Sequence, residues 1–131
     1  MASVAQADGT RLRIESWENA QRQAVAAARA ALGITFDPAT EGPPWFWSDQ
    51  YDDNLQLLGL PHEGMRVIER VDLQKRQKVF FFCDGARVHA VAAINAGREI
   101  KVARKWIAQD RYPALDALTD TSVDLNKLAL S

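Results

Sequence analysis

The chain is poor in the residues from which most small catalytic sites are built. It has one cysteine, Cys83, which excludes an internal disulfide and a thiol-based zinc site and fits a reducing compartment. Its two histidines, His62 and His89, are far apart in sequence, with no carboxylate at ligand or relay spacing. His62 reads as a solvated loop residue and His89 as a strand residue. Neither sign of charge dominates: the net charge is -1, so the basic stripe that nucleic acid requires is missing. The longest apolar runs, Ala24 to Ala28, Val79 to Cys83 and Ala90 to Ile94, fall far short of the roughly 20 residues that span a bilayer. No membrane partner is expected. Residues 1–10 have no basic segment followed by an apolar core, so no secretory signal is visible and a cytoplasmic location is expected. There is no Gly-x-Gly-x-x-Gly, phosphate loop, nucleophile elbow or metal-ligand cluster, and no repeat or low-complexity segment. No catalytic residue and no metal ligand is therefore assigned.

The composition is that of a globular chain, 47% hydrophobic and 25% charged over 131 residues. That length supports one domain with a real core. The expected layout is a single domain over 1–131, with 1–10 as a loose lead-in ending in an Asp8-Gly9 turn and the ordered part over 11–131.

The most informative stretch is Pro44-Trp45-Phe46-Trp47-Ser48-Asp49-Gln50-Tyr51-Asp52. Read as a strand, it alternates Trp45, Trp47 and Asp49 on one face with Phe46 and Ser48 on the other. The first face carries two indoles and ends in an acceptor, a surface suited to a flat ring with polar edges. The same pattern also serves plain core packing.

Around it the periodicity predicts a helix from Trp17 to Leu32, with Ser16 as N-cap, Glu18 in the first turn and Gly33 as the stop. Trp17, Ala20, Ala24, Ala27 and Ala31 form one face of that helix. Its small side chains predict a helix lying tightly on a neighbouring element. Gly33, Pro38, Gly42, Pro43 and Pro44 mark a connector. Strands are predicted at Trp45–Tyr51, Leu55–Leu60, Met65–Leu73, Lys78–Cys83 and Ala86–Ile94. Asp52-Asp53-Asn54 reads as a turn and Asp84-Gly85 as a two-residue hairpin. In the third strand, Met65, Val67, Val71 and Leu73 make an apolar face that Glu69 interrupts, which suggests an edge. A helix over Glu99–Gln109 turns Ile100, Ala103, Trp106 and Ile107 inward and Lys101, Arg104 and Lys105 outward. A last helix over Asp124–Leu130 follows Thr121-Ser122-Val123-Asp124, similar to a capping box. The fold class is α+β: a mostly antiparallel five-stranded sheet with helices packed on one side. Cys83, behind three phenylalanines, reads as a buried packing residue.

The Trp-Ser-Asp block, followed by Leu55-Gln56-Leu57-Leu58-Gly59, resembles the C-terminal domain of FAD-dependent NADH:ferredoxin reductases that serve aromatic-ring dioxygenases and cytochromes P-450. Arg13-Ile14-Glu15-Ser16-Trp17-Glu18-Asn19-Ala20 upstream is similar to the helix opening of that family. Ile94 to Ile100, Leu118-Thr119-Asp120 and Val123-Asp124-Leu125 follow in the family's order. The resemblance covers roughly residues 10 to 130. It implies one domain of a three-domain enzyme, without the two domains that bind FAD and NADH. By resemblance, Trp47 lies near the isoalloxazine, and Glu15 and Trp17 lie near the pyrimidine end. Trp45 lies closer to the partner surface. The basic helix face of Lys101, Arg104 and Lys105 is either ordinary solvated surface or a docking face for an acidic 2Fe–2S ferredoxin. The implied partners are the FAD- and NAD-binding domains and that ferredoxin. FAD belongs to the complete enzyme, and the isolated chain is expected neither to hold it nor to turn over NADH. The alternative is a stand-alone interaction module that kept the fold without flavin and binds a partner, or a second copy, through the exposed aromatic face.

Overall fold

The computed structural model describes Val4–Ala5 and residues 11–35 and 42–131. Its elements run β1 (Val4–Ala5), β2 (Arg11–Leu12), α1 (Trp17–Ala31), β3 (Trp45–Gln50), β4 (Asp53–Leu58), β5 (Arg66–Asp72), β6 (Gln77–Asp84), β7 (Arg87–Ile94) and α2 (Gly97–Gln109). Two short 3-10 turns, Leu115–Thr119 and Leu125–Lys127, close the chain. The predicted Asp8-Gly9 turn and Pro38 lie outside the described residues.

β1 and β2 form a two-residue antiparallel pair. The main sheet is antiparallel throughout, in the order β3-β4-β7-β6-β5. Residues opposite one another in register share a face, so side chains line up in rows across the strands. One row is Trp45, Leu58, Val91, Phe81 and Ile68. Leu58, Val91 and Phe81 have no solvent exposure, and this face holds the core. α2 packs on it through Ile100, Val102, Ala103 and Trp106, with the Trp106 ring 6.3 Å from that of Phe81. The opposite face has its own row: Phe46, Leu57, Ala92, Phe80 and Glu69.

The predicted helix capping is found. Ser16 Oγ accepts from the Asn19 N–H at 3.2 Å, and Gly33 adopts φ +69° after the last turn of α1. The tight packing predicted for the alanine face is not. Ala20, Ala24, Ala27 and Ala31 are exposed, and Asn19 is the one buried residue of α1. The contacts of α1 with β3 run through Trp17 and Glu18 in its first turn.

Two further expectations are corrected. β5 is an edge strand, but its apolar set is the outward one. Val67, Val71 and Leu73 are exposed, whereas Ile68 is 5% exposed and faces the core. Arg70 shares the core side because its guanidinium is consumed by the carbonyls of Leu118, Asp120 and Val123. That staples the C-terminal segment over the sheet. The last helix shrinks to the single turn Leu125–Lys127. Asp124 caps it by accepting from the Asn126 N–H at 3.0 Å. Beyond it the chain is extended, with Tyr112 and Ser131 exchanging backbone hydrogen bonds.

Candidate functional site

β3 is the free edge strand beside α1, and the tryptophans sit there in a connected row. Trp17, at the first position of α1, stands edge-on to Trp47 with ring centroids 5.7 Å apart and an 84° interplanar angle. Trp47 stacks on Trp45 at 4.8 Å and 22°. The Arg104 guanidinium covers Trp45 at 5.5 Å from the ring centroid. The row thus runs Trp17, Trp47, Trp45, Arg104. It passes from the N-terminus of one helix, across an edge strand, to the basic face of the other. Stacked and edge-on aromatic pairs of this kind each contribute about 0.5–1.5 kcal/mol beyond burial.

Polar groups fix the row. The Trp45 backbone N–H faces away from β4 and donates to Glu18 Oε2 at 2.8 Å. The other oxygen of Glu18 accepts from Arg22 at 2.8 Å, and Arg22 also donates to the Gly42 carbonyl at 3.3 Å. Glu18 therefore ties α1 to β3 across the connector. On the other side, the Trp45 indole N–H donates to Gln56 Oε1 at 3.2 Å. Gln56 Nε2 donates to Asn54 Oδ1, and Asn54 Nδ2 donates to Asp49 Oδ1 at 2.6 Å. Trp45 is held through its backbone N–H, its indole N–H and its ring contacts with Trp47 and Arg104. Glu18 was legible in the sequence only as a first-turn carboxylate. In the sequence Asn54 stood only as a turn residue and Gln56 only within the family-like block, because their bonds to Asp49 and Trp45 cross to β3.

Of the seven residues singled out in the sequence, the structure joins Trp17, Trp47, Trp45 and Arg104. Trp17 remains 63% exposed and Trp47 half-buried. Glu15 is exposed and pairs with Arg13 at 3.5 Å, outside the row. Lys101 and Lys105 are exposed, and Lys101 stands three residues before Arg104 and four before Lys105, the spacings at which side chains neighbour one another on a helix. Trp17 and Trp47, with ring planes 84° apart, form a right-angled aromatic corner. The surface depression along α1 is lined by Gln21, Arg22, Ala24, Val25 and Arg29, not by the tryptophans.

Elsewhere the structure brings His62 and His89 together, ring centroids 5.4 Å apart and near perpendicular. Burial, with a smaller push from His62, lowers the pKa of His89. Cys83 is buried, and burial pushes its thiol up. Among the described residues no group of three or more His, Cys, Asp or Glu could hold a metal. None of their helices is long and apolar enough to cross a membrane.

The family described as "Reductase C-terminal" matches residues 45–129, from the first tryptophan of β3 to the end of the C-terminal staple. The chain is 42% identical over 118 residues to the ferredoxin–NAD(+) reductase component of the anthranilate 1,2-dioxygenase system of Burkholderia cepacia. That match covers 89% of the chain and 29% of the relative. Among solved structures, putidaredoxin reductase in its covalent complex with putidaredoxin is 34% identical with a TM-score of 0.80, covering 96% of this chain and 30% of that one. The ferredoxin reductase for the CYP199A2 system of Rhodopseudomonas palustris is 31% identical with a TM-score of 0.77, covering 92% and 29%. The chain spans less than a third of the length of these relatives. Its antiparallel five-stranded sheet, its one-sided helices and the match across residues 45–129 agree: the chain belongs to the reductase C-terminal family.

Proposed function

We propose that this chain acts as the C-terminal domain of a FAD-dependent NADH:ferredoxin reductase. In this reading it has two jobs. Trp17 and Trp47, with Glu15 at the pyrimidine end, line one side of the flavin held by the dinucleotide-binding domains. Trp45 and the basic face of Lys101, Arg104 and Lys105 receive an acidic 2Fe–2S ferredoxin. When bound, FAD supplies hydride acceptance and single-electron release. This chain's residues give position, exclude water and present charge; none of them is a general acid or base.

The observation that carries the reading is the continuous row Trp17, Trp47, Trp45, Arg104. It joins the side assigned to the cofactor with the side assigned to the protein partner through direct ring contacts. The bare body of α1 supports it as well. Among the described residues α1 buries only Asn19, and it lies before the family match begins at residue 45, which suits a surface for another domain.

The test is titration of the chain with an acidic 2Fe–2S ferredoxin, followed by calorimetry at low and high salt. Association is expected at low salt and should weaken steeply as salt rises. Replacing Lys101, Arg104 and Lys105 together by glutamate should weaken it at least tenfold, roughly 1.4 kcal/mol. No association at any salt, or association indifferent to these charges, would refute the docking half. Steady NADH oxidation by the pure chain would refute the whole.

A further inference from the structure

The two histidines meet where the chain makes its long crossing of the sheet. β4 ends at Leu58 and β5 begins at Arg66, yet β7 and β6 lie between them in the strand order. Residues 59–65 therefore pass over two strands, and His62 stands at the middle of the passage. The crossing starts at Gly59, which has φ +78°, and a Cβ there would stand 2.6 Å from the His89 carbonyl oxygen. Glycine alone lets the chain leave β4 so close to β7. Beneath the crossing β7 carries a bulge. Phe82 pairs with Ala90 and Cys83 with Val88, so His89 is the extra, unopposed residue. Bulges bend a strand and re-aim a side chain. The two imidazole rings end 5.4 Å apart and near perpendicular. Both residues are exposed, so little burial rewards their contact.

The donor chemistry is that of a ligand pair. His62 Nδ1 lies 2.8 Å from the Glu63 carbonyl oxygen. A carbonyl only accepts, so Nδ1 carries the proton and Nε2 keeps its lone pair. A histidine that binds a metal through one nitrogen usually has the other fixed in this way. Among the described residues the His89 ring has no hydrogen-bond partner, which leaves a lone pair there too. With metal–nitrogen distances of about 2.0–2.1 Å, ring nitrogens about 1.1 Å from their centroids and angles at the metal of roughly 110–120°, two ligating imidazoles have centroids about 5.1–5.5 Å apart. The observed 5.4 Å falls in that range. The charges nearby allow a cation. The Asp84 carboxylate acts on His89, while Arg87 on the same strand is paired with Asp110 and lies over the Tyr112 ring.

We propose that His62 and His89 form an open two-imidazole site for a divalent transition-metal ion of the zinc, nickel or copper kind, with water in its other positions. Among the described residues no third His, Cys, Asp or Glu completes a cluster, so the ion keeps exchangeable positions. Bound there, it clips the crossing residues 59–65 to the strand beneath. Magnesium and calcium, which take oxygen ligands, are poor occupants. The inference is independent of the flavoprotein reading, since it uses neither the tryptophan row nor α2.

Titration of the chain with copper(II) chloride, followed by electron paramagnetic resonance, tests it. One copper per chain should bind with the hyperfine signature of two nitrogen ligands. Zinc should displace it, and magnesium in tenfold excess should not. His62→Ala and His89→Ala should each remove one nitrogen from the signature and weaken binding at least tenfold. Saturating zinc should raise the thermal midpoint of the wild type and leave both variants unmoved, because the ion binds the folded chain. Both histidines are exposed, so the variants should fold with unchanged far-ultraviolet dichroism. No copper uptake at about 1 mM overturns the proposal. So does a two-nitrogen signature that persists in either variant, which would place the copper elsewhere, and so does a wild-type signature with a single nitrogen.

Discussion

Replacing Gly97 by alanine sets two effects of known size against each other. Gly97 opens α2. A Cβ there would stand 2.8 Å from Gln56 Nε2, too close for an ordinary contact. The obstacle is the end of a flexible side chain, so the Gln56 amide would swing away rather than the backbone shift. That amide bridges the Trp45 indole N–H and Asn54 Oδ1. Each such hydrogen bond contributes about 1 kcal/mol net, so losing both costs about 2 kcal/mol. Alanine in place of glycine gains up to about 1 kcal/mol of helix propensity, less at the first position of a helix. Gly97→Ala should therefore destabilise the chain by about 1 kcal/mol. In a Gln56→Ala background nothing remains to collide with. The same substitution should then be neutral or stabilise by up to about 1 kcal/mol. The four proteins of this cycle, unfolded in urea and followed by dichroism, should give a coupling of about 1–2 kcal/mol. Tryptophan emission of folded Gly97→Ala should shift as the freed indole N–H of Trp45 meets water. If Gly97→Ala has the same effect in both backgrounds within about 0.3 kcal/mol, Gln56 is not what holds Trp45, and the reasoning fails.

Other perturbations bear on other parts of the molecule. Glu18→Ala should release Trp45 and Arg22 together and cost about 1.5–3 kcal/mol, the range for a charge-assisted hydrogen bond in a partly buried setting; acrylamide should then quench the tryptophans beside α1 more strongly, and unchanged quenching would contradict a latch. Phe81→Ala should cost about 3–5 kcal/mol in urea unfolding, because Phe81 is fully buried at the centre of the sheet row and packs on Trp106; a loss under 1.5 kcal/mol would mean that the core closes around the gap. Burial raises the pKa of the Cys83 thiol in the fold. Its stabilising share is therefore present below the ordinary thiol value of about 8.5 and is lost as pH rises through the raised folded value. The wild-type urea midpoint should fall with pH above that ordinary value more than the midpoint of Cys83→Ala, and parallel curves would refute this.

Much of the fold was legible in local pattern. Ser16 and Gly33 bound α1 because an N-cap hydroxyl and a left-handed glycine act on their own turn. The five strands and the turn after Asp84 were legible because apolar alternation and turn residues act within a few positions. Errors arose where the deciding partner lies far along the chain. β5 was ambiguous because both of its faces carry apolar and charged residues. Its inward side was settled by Phe81 packing on Ile68 and by three carbonyls of the C-terminal segment waiting for Arg70. The last helix was overestimated because its cap is real but its chain is recruited by Tyr112 into backbone pairing.

The candidate site divides in the same way. Alternation alone put Trp45 and Trp47 on one face of β3, and helical spacing alone put Lys101, Arg104 and Lys105 on one face of α2. What joined them was strand order. Inserting β7 between β4 and β6 sets α2, which follows β7, over β4 and beside β3. Only then does Arg104 reach Trp45, Gln56 reach the Trp45 indole and His89 reach His62. Caps, turns and periodicities are interactions within a few residues, so the sequence carries them directly. A row of four rings and cations drawn from two helices and an edge strand exists only after the sheet has chosen its neighbours, a choice made by the burial of the whole core.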